Sequence, residues 1–176
     1  MRVRITGGQF GGRFIKTLPS LRPTSDLVRK AIFDILGDQV EGASFLELYA
    51  GCGAVGIEAL SRGAATVLMI EKNRQHYQLI KDNLTGLNDP LTSSATARQM
   101  DVKDFISANQ LQYDLVFADP WYEEELDTTN WETLLTNTGI LILEHSALKP
   151  APDIAALRNI NHKRYGDTAL TFYLRA

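Results

Sequence analysis

The sequence predicts an α/β fold in which a doubly wound, mostly parallel sheet of seven strands follows a small N-terminal β-hairpin. Three observations support this prediction: strand and helix patterns alternate along most of the chain, a glycine-rich turn joins a strand directly to a helix, and acidic residues follow several strand patterns. The chain has 176 residues, of which 44% are hydrophobic, enough for one core. We therefore expect a basic hairpin extension over residues 1–21 and a single main domain over residues 22–176.

The first predicted elements lie ahead of the sheet. Two short patterns at residues 3–5 and 13–17, separated by a glycine-rich stretch, predict the hairpin. A helix is then expected to begin after Thr24 or Ser25, because either side chain can accept a hydrogen bond from the first free N–H groups of a helix. Apolar residues recur on one face of this helix until Gly37, which predicts its end there.

The sheet and its helices follow in alternation. Strand patterns are found near residues 44–49, 66–71, 95–100, 113–119 and 139–144, with helical patterns near residues 54–62, 73–86, 103–109, 130–136 and 152–158. Strands joined through helices run parallel, and the helices cover both faces of the sheet. Residues 159–165 and 169–174 predict a terminal hairpin that completes the sheet. Ligands of such a sheet bind at the carboxyl ends of its strands.

A glycine-rich turn follows the first of these strand patterns. Gly51, Gly53 and Gly56 have the spacing G-x-G-x-x-G and lead into a helical pattern. Glycines let the main chain approach a ligand closely, and the N–H groups at the start of a helix favour an anionic or carboxylate-bearing group. Glu71 ends the next strand pattern, where a carboxylate can accept hydrogen bonds from ribose hydroxyls. Together they predict a nucleoside cofactor, and nicotinamide enzymes share both features.

Glu47 decides between two nucleoside cofactors. It lies on the strand that leads into the glycine turn, where a dinucleotide enzyme lays a pyrophosphate, and two negative groups at this place would repel each other. The cationic sulfonium and ammonium groups of S-adenosylmethionine would be attracted instead. Asp101 and Val102 follow the third strand pattern, where proteins of this architecture recognise adenine, although a helix cap is the alternative role for Asp101. We therefore predict S-adenosylmethionine as the cofactor.

The stretch Asp119-Pro120-Trp121-Tyr122 directly follows the fourth strand pattern of the sheet. Pro120 has a fixed φ and biases Asp119 towards an extended conformation, so that the carboxylate and nearby carbonyl groups can accept both hydrogens of an exocyclic amine. Trp121 or Tyr122 can stack on the ring that carries this amine. The stretch therefore predicts a catalytic site for methylation of the amino group of a base, with an ordinary turn after a strand as the alternative.

Basic residues are concentrated near the N-terminus. Residues 1–30 contain seven lysine or arginine residues and one acidic residue, whereas the whole chain has a formal net charge of −3. Phosphate groups are the natural partner of such a region, although a solvated hairpin is the alternative. Thr24 lies in the turn before the first predicted helix, and this turn is expected to flank both the cofactor and the RNA. We predict RNA contacts from Arg4, Arg13, Lys16, Arg22 and Arg29.

Composition narrows the setting of the protein. No apolar run approaches the roughly 20 residues of a membrane span, and the Arg-containing N-terminus lacks the apolar core of a signal peptide. A single cysteine excludes an internal disulfide, and the three histidines lack metal-ligand spacing. We expect a cytoplasmic, metal-free protein that is a monomer and has no membrane partner.

Five separated segments resemble motifs of the bacterial RsmD family. They are the glycine turn with its flanks from Glu47 to Ala65, the stretch Asp119–Tyr122, and the segments Arg22–Arg29, Gly7–Arg13 and Tyr165–Thr168. The resemblance implies a Rossmann-like class I methyltransferase that transfers a methyl group from S-adenosyl-L-methionine to the exocyclic N2 of a guanine in 16S ribosomal RNA. The RNA is expected either free or within a partly assembled small ribosomal subunit. Trp121 departs from the family, which usually has a proline at this position.

Three rival functions are compatible with the sequence. A DNA adenine-N6 or protein-glutamine methyltransferase could use a related acid-Pro-x-aromatic motif, although the chain is short for a separate target-recognition domain. A nicotinamide oxidoreductase is disfavoured by Glu47. An RNA-binding assembly factor could keep the cofactor pocket and lack turnover because of Trp121.

Overall fold

The central element of the computed structural model is a seven-stranded sheet, and the structure describes residues 1–121 and 126–176. Its strands and helices are β1 (Arg2–Arg4), β2 (Phe14–Lys16), α1 (Asp26–Leu36), β3 (Ser44–Leu48), α2 (Ala54–Ser61), β4 (Thr66–Glu71), α3 (Arg74–Leu87), β5 (Ala95–Gln99), α4 (Val102–Ala108), β6 (Tyr113–Ala118), β7 (Leu135–Ser146), β8 (Leu157–Tyr165) and β9 (Thr168–Arg175). The strand order is β5-β4-β3-β6-β7-β9-β8. The first five strands in this order are parallel, β9 pairs antiparallel with β7, and β8 pairs antiparallel with β9. The predicted α/β sheet is confirmed.

Both faces of the sheet are buried, which explains why the central strands are apolar along their whole length. On one face, α1, α2 and α3 pack over strand residues such as Phe45, Met69 and Phe117. On the other face, α4 packs over residues such as Leu46 and Val116. Within the described residues, no helix combines the length and the apolarity needed to cross a membrane.

One predicted helix is replaced by a turn and the start of a strand. The pattern at 130–136 forms only a short 3-10 turn, Trp131–Leu134, and β7 begins at Leu135. Trp131, Leu134 and Leu135 are all at most 1% exposed on the α4 side of the sheet. Their spacing is that of one helical face, but a single turn followed by a strand buries the same residues. The helical prediction for 130–136 is therefore wrong.

The predicted helix at 152–158 is also wrong. Residues 152–156 form an irregular connection, and β8 begins at Leu157. Ala156 has a φ of +59°, which lies outside the range of a right-handed helix. Ile154 and Leu157 are nevertheless buried, and the Tyr173 hydroxyl group donates a hydrogen bond of 2.8 Å to the carbonyl oxygen of Pro152. Side-chain burial holds this connection in place without a helix.

The N-terminal extension is the predicted hairpin, and it shares the core of the main domain. β1 and β2 pair antiparallel, and Val3, Ile5, Phe10 and Ile15 are buried in the same cluster as α1 and α2. A further join is made by Asn83 of α3. Its carboxamide oxygen accepts from the Lys16 N–H (2.8 Å), and its nitrogen donates to the carbonyl oxygens of Lys16 and Cys52 (3.0 Å each). One amide therefore connects the hairpin to the glycine turn.

A buried acid on α2 anchors the extension. Glu58 is 0% exposed, and its carboxylate accepts hydrogen bonds from the Thr6 N–H (2.8 Å), the Thr6 hydroxyl group (2.7 Å) and Arg62 Nε (2.9 Å). Arg29 Nε lies 3.7 Å from the same carboxylate. Two arginines and three hydrogen bonds therefore compensate for the burial of this acid.

The predicted RNA contact of Arg29 is wrong. Arg29 is 1% exposed, and its guanidinium donates to the carbonyl oxygens of Thr24 and Arg4 as well as to Asp26. These contacts fill the core between α1, α2 and β1. A guanidinium in this position cannot reach a phosphate in solution, so Arg29 stabilises the attachment of the extension instead.

The Glu58 cluster predicts a large loss of stability on substitution. In Glu58→Gln the amide lacks the charge that balances Arg29 and Arg62, and one of its ends cannot accept a hydrogen bond from Thr6. We expect the free energy of unfolding to fall by roughly 2–4 kcal/mol. Chemical denaturation measures this value, with the exposed Glu41→Gln as the control that should stay within about 0.5 kcal/mol of the parent. Equal stabilities for the two variants would contradict an anchoring role.

Candidate active site

A cavity of about 660 Å³ opens at the carboxyl ends of β3, β4, β6 and β7. Each of these strands brings an acidic residue to the cavity wall, so the acids predicted at strand ends do lie close together. Of the predicted site residues, the following line this cavity: Arg22, Thr24, Glu47, Gly51, Glu71, Val102, Asp119, Pro120 and Trp121. Tyr122 was also predicted to be in the site, and it lies outside the described residues.

The glycine turn joins β3 to α2 through residues with positive φ, namely Tyr49, Gly51 and Gly53 at 59°, 56° and 76°. At positions 53 and 56 the protein's own side chains, and not a ligand, leave no room for a Cβ atom. A Cβ atom on Gly53 would lie 3.0 Å from the sulfur of Met69, and one on Gly56 would lie 2.6 Å from Oε2 of Glu47. Only Gly51 of the three predicted glycines lines the cavity.

Glu47 fills the position at the start of α2 where the glycine motif predicts a ligand anion. Its carboxylate accepts hydrogen bonds from the N–H groups of Val55 (3.3 Å) and Gly56 (2.8 Å), and the residue is 3% exposed. The partial positive charge of the helix start is thus satisfied from inside the protein. Burial raises the pKa of Glu47 to about 8, a shift that these two hydrogen bonds oppose and the Glu71 charge increases.

Glu71 is held at the cavity wall by two main-chain groups. One carboxylate oxygen accepts from the Gly51 N–H (2.8 Å), and the other accepts from the Asn73 N–H (2.7 Å). His76 lies nearby, with Nδ1 3.8 Å from Oε1. The first bond connects the end of β4 to the glycine turn, so the position of the acid and the shape of the turn depend on each other.

Asp119 and Glu144 form the acidic floor on the far side of the cavity. Burial raises the pKa of Asp119 well above its usual value, the carboxylates of Glu144 and Glu47 raise it further, and Arg22 opposes this shift. Glu144 is 5% exposed and accepts a hydrogen bond of 2.9 Å from the Thr24 hydroxyl group. Ser25, not Thr24, caps α1. Thr24 therefore holds an acid of the cavity rather than the end of a helix.

A second cavity of about 420 Å³ adjoins the first and shares Tyr49, Val102 and Pro120 with it. Asp101 lines this second cavity and also caps α4, since its carboxylate accepts from the Lys103 N–H at 3.0 Å. Both roles considered for Asp101 are thus compatible with its position. Within residues 1–121 and 126–176, no group of three histidine, cysteine or acidic side chains could hold a metal ion.

The predicted RNA-binding side chains differ in their freedom. Arg4, Lys16 and Arg22 are exposed, and Arg22 lies at the cavity. Arg13 is exposed too, but its guanidinium lies 5.5 Å from the centre of the Phe10 ring and donates to the Leu87 carbonyl oxygen. Of these four exposed basic residues, Arg22 alone lines the cavity, and the other three lie on the hairpin.

Several cavity residues were not predicted as site residues. Tyr165, Asp167 and Thr168 line the cavity because the turn between β8 and β9 returns to the same edge of the sheet. The segment Tyr165–Thr168 matched a family motif, which was the available signal for its position. Trp121 lines the rim with 60% of its surface exposed, so its ring is accessible to a flat ligand.

Known proteins are similar to this chain over nearly its whole length. The family model described as "Conserved hypothetical protein 95" matches residues 3–174. Ribosomal RNA small subunit methyltransferase D of Escherichia coli (strain K12) is 30% identical, covering 99% of this chain and 90% of the relative. The candidate rRNA methyltransferase YlbH of Bacillus subtilis is also 30% identical, covering 97% and 98%. The solved structure of the candidate methyltransferase yhhF from Escherichia coli is similar with a TM-score of 0.88, 30% identity, and 99% and 98% coverage.

The raised pKa of Glu47 predicts a stability that depends on pH. The folded protein keeps the Glu47 proton up to about pH 8, whereas an unfolded chain loses it near 4.5. Folding therefore takes up a proton between these values, and the contribution of Glu47 to the free energy of unfolding falls as pH rises, by up to roughly 1.4 kcal/mol per pH unit. Glu47→Gln should remove this decline.

Chemical denaturation of parent and variant at several pH values measures the difference between their slopes. Glu41→Gln, on an exposed side chain, is the control and should keep the slope of the parent. Parallel slopes for the parent and Glu47→Gln would show that Glu47 does not titrate in this range.

Proposed function

This chain belongs to the conserved hypothetical protein 95 family, also called the RsmD family, and on that premise we propose that it transfers a methyl group from S-adenosyl-L-methionine to the exocyclic N2 of a guanine in 16S ribosomal RNA. Its fold is the Rossmann-like fold of methyltransferases. The observation that carries the proposal is the meeting of Glu47, Glu71, Asp119 and Glu144 in one cavity at the ends of four strands.

The charge of the cavity supports a cationic cofactor. Glu47, Asp119 and Glu144 bring carboxyl groups to its walls, and burial with repulsion from neighbouring charged carboxylates raises the pKa values of Glu47 and Asp119. A cation among them relieves this repulsion, and S-adenosylmethionine carries both an ammonium and a sulfonium group. When bound, it supplies an electrophilic methyl group. In our proposal Glu71 accepts hydrogen bonds from the ribose hydroxyls. Gly51, Asp101 and Val102 contact the rest of the nucleoside.

A nicotinamide cofactor fits this cavity poorly. A pyrophosphate needs the free N–H groups at the start of the helix after the glycine turn. Here the N–H groups of Val55 and Gly56 are bonded to Glu47, so they are not available to a phosphate. The oxidoreductase alternative therefore has no support from the helix start.

The base is proposed to enter beside Asp119. An exocyclic amine has two hydrogens, which the Asp119 carboxylate and a carbonyl group near Pro120 can accept together. Trp121 would hold the ring by stacking, with Tyr122 in the role predicted from the sequence. These contacts orient the nitrogen lone pair towards the methyl group, so the chain contributes positioning more than acid–base chemistry. The proton released from the nitrogen passes to Asp119 or to water.

The RNA is proposed to contact the exposed residues Arg4, Arg13, Lys16 and Arg22. Arg22 lies at the cavity itself, and the hairpin that bears the other three is fixed to the domain through Glu58 and Asn83. A fixed basic surface beside the pocket would guide the RNA strand next to the target base. The substrate state, free RNA or partly assembled subunit, and the expected cytoplasmic monomer are parts of this proposal.

The direct test is transfer of a labelled methyl group from S-adenosylmethionine by the purified protein. Separate reactions receive 16S RNA, small subunits from cells that lack the gene, and duplex DNA. Label on one guanine N2 of the RNA, located by mass mapping, supports the proposal. Label on DNA or on protein would replace it with another amino-methyltransferase. Tight RNA binding without label would support the assembly-factor reading of Trp121.

Glu71 provides a prediction for cofactor affinity. Glu71→Ala removes a charged hydrogen-bond acceptor and should weaken S-adenosylmethionine binding by roughly 1.5–3 kcal/mol, measured by calorimetry. Because Glu71 also bonds Gly51 and Asn73, Glu71→Gln is the matched variant, which keeps one acceptor and should lose less affinity. Unchanged affinity in a folded Glu71→Ala variant would remove Glu71 from the ribose position.

Asp119 provides a prediction for turnover. Asp119→Ala should lower kcat by about 10²–10³ with cofactor affinity nearly unchanged, because the lost contact acts mainly in the transition state. Only the ionised carboxylate offers both oxygens as acceptors and can take up the released proton, and its pKa is raised, so kcat of the parent should fall as pH drops through that raised value.

Asp119→Asn is the matched control for this pH effect. Its amide oxygen still accepts one hydrogen bond and does not titrate, so kcat should be reduced but flat over the same pH range. Full activity in Asp119→Ala would exclude the proposed chemistry. A pH profile of Asp119→Asn identical in shape to that of the parent would assign the titration to another group.

A further inference from the structure

The edge strand β8 forms an exposed basic surface that lies apart from the N-terminal hairpin. It has one neighbour in the sheet, β9, and contains Arg158, Lys163 and Arg164 but no acidic residue. All three side chains are exposed. Among the described residues, none of these three takes part in an ion pair. Arg164 Nε donates a hydrogen bond of 2.8 Å to the Gly166 carbonyl oxygen, which leaves Arg158 and Lys163 as a local excess of positive charge in a protein with a net charge of −3.

A β-bulge brings Arg158 and Lys163 to one face of the strand. Arg158 and Lys163 are five positions apart, and on a regular strand such residues point to opposite faces. The pairing of β8 with β9 shifts between Asn159 and Asn161, so Ile160 is an extra residue. As a result Arg158 lies opposite Leu174, and Lys163 lies opposite Leu170, on the α1 side of the sheet.

The same face leads into the active-site cavity. Tyr165 follows Lys163 by two positions, is opposite Thr168 of β9, and lines the cavity together with Thr168. Two residues of a strand span about 7 Å, so Lys163 is close to the cavity rim and Arg158 is further along the strand. We call the side chains of Arg158, Asn161, Lys163 and Tyr165 the β8 face.

The β8 face and the basic hairpin lie towards opposite edges of the main sheet. The hairpin packs on α2 and α3, next to β3 and β4, whereas β8 is the last strand beyond β7 and β9. A base that enters the cavity from an RNA chain has two flanking segments of the same chain, one upstream and one downstream, which must cross the surface in different directions. The hairpin side can serve only one of them.

We propose that the β8 face binds the phosphates of one of the two RNA segments that flank the methylated nucleotide, the one that does not cross the hairpin side. The inference rests on the proposed function and adds a surface to it. Lys163 and Arg158 contact phosphates, and Asn161 between them can donate or accept hydrogen bonds. An alternative use of basic residues and a bulge on an edge strand is to prevent pairing with a second copy, but that use does not require the cations to share one face.

The test is the double variant Arg158→Gln/Lys163→Gln against the matched control Lys81→Gln/Arg98→Gln. Arg98 is exposed on β5, the opposite edge strand of the sheet, and Lys81 is exposed on α3. RNA affinity is measured by titration with 16S RNA at several salt concentrations. For the double variant we expect roughly tenfold weaker binding and a salt slope reduced by about 2, with S-adenosylmethionine affinity unchanged. The control should match the parent.

Each outcome decides a separate point. If the parent methylates RNA and the double variant keeps its affinity and salt slope, the β8 face is excluded and the proposed function stands. An equal loss in the control would assign the effect to total charge. Self-association of the double variant in sedimentation, with RNA binding intact, would overturn the proposal in favour of protection of the strand edge. A parent that neither binds nor methylates RNA removes the proposed function together with this surface.

Discussion

The hydrogen bonds from the start of α2 to the Glu47 carboxylate are the interaction on which the rest of the site depends. They require Gly56 to lack a side chain, since a Cβ atom there would lie 2.6 Å from the carboxylate. They also fix where α2 begins, and with it the turn whose Gly51 N–H bonds Glu71. An acid on one strand thus determines the position of an acid on the next through a helix start and a turn.

The cost of this arrangement is a set of carboxylates that are poorly solvated. Glu47, Glu144 and Glu71 are each less than 8% exposed, and the pKa values of Glu47 and Asp119 are raised. Proteins retain such groups where a ligand compensates for them, which is why perturbed acids mark functional sites. These buried acids therefore lower the stability of the protein while the cavity is empty. A cation that binds among them would recover this lost free energy as binding affinity.

Features that depend on residues close together in sequence are predicted best. The parallel strands, the glycine turn and the acids at strand ends were predictable because period and position along one segment define them. The Thr6–Glu58 contact was not, because its partners are 52 residues apart. The burial of Arg29 depends on the same cluster. The helical pattern at 130–136 was predicted wrongly because its apolar spacing fits one face of a helix, whereas one turn followed by a strand buries the same residues.

Asn83 leaves little freedom at its own position. Its single amide accepts from the Lys16 N–H and donates to two carbonyl oxygens, those of Lys16 and Cys52. An aspartate of nearly the same shape would present lone pairs to both carbonyl groups, and a glutamine is longer by one methylene in a space that is 4% exposed. Of the twenty residue types, only asparagine combines the donor, the acceptor and the length. One side chain therefore fixes the hairpin relative to the glycine turn, and a shift of either segment would break a hydrogen bond of this join.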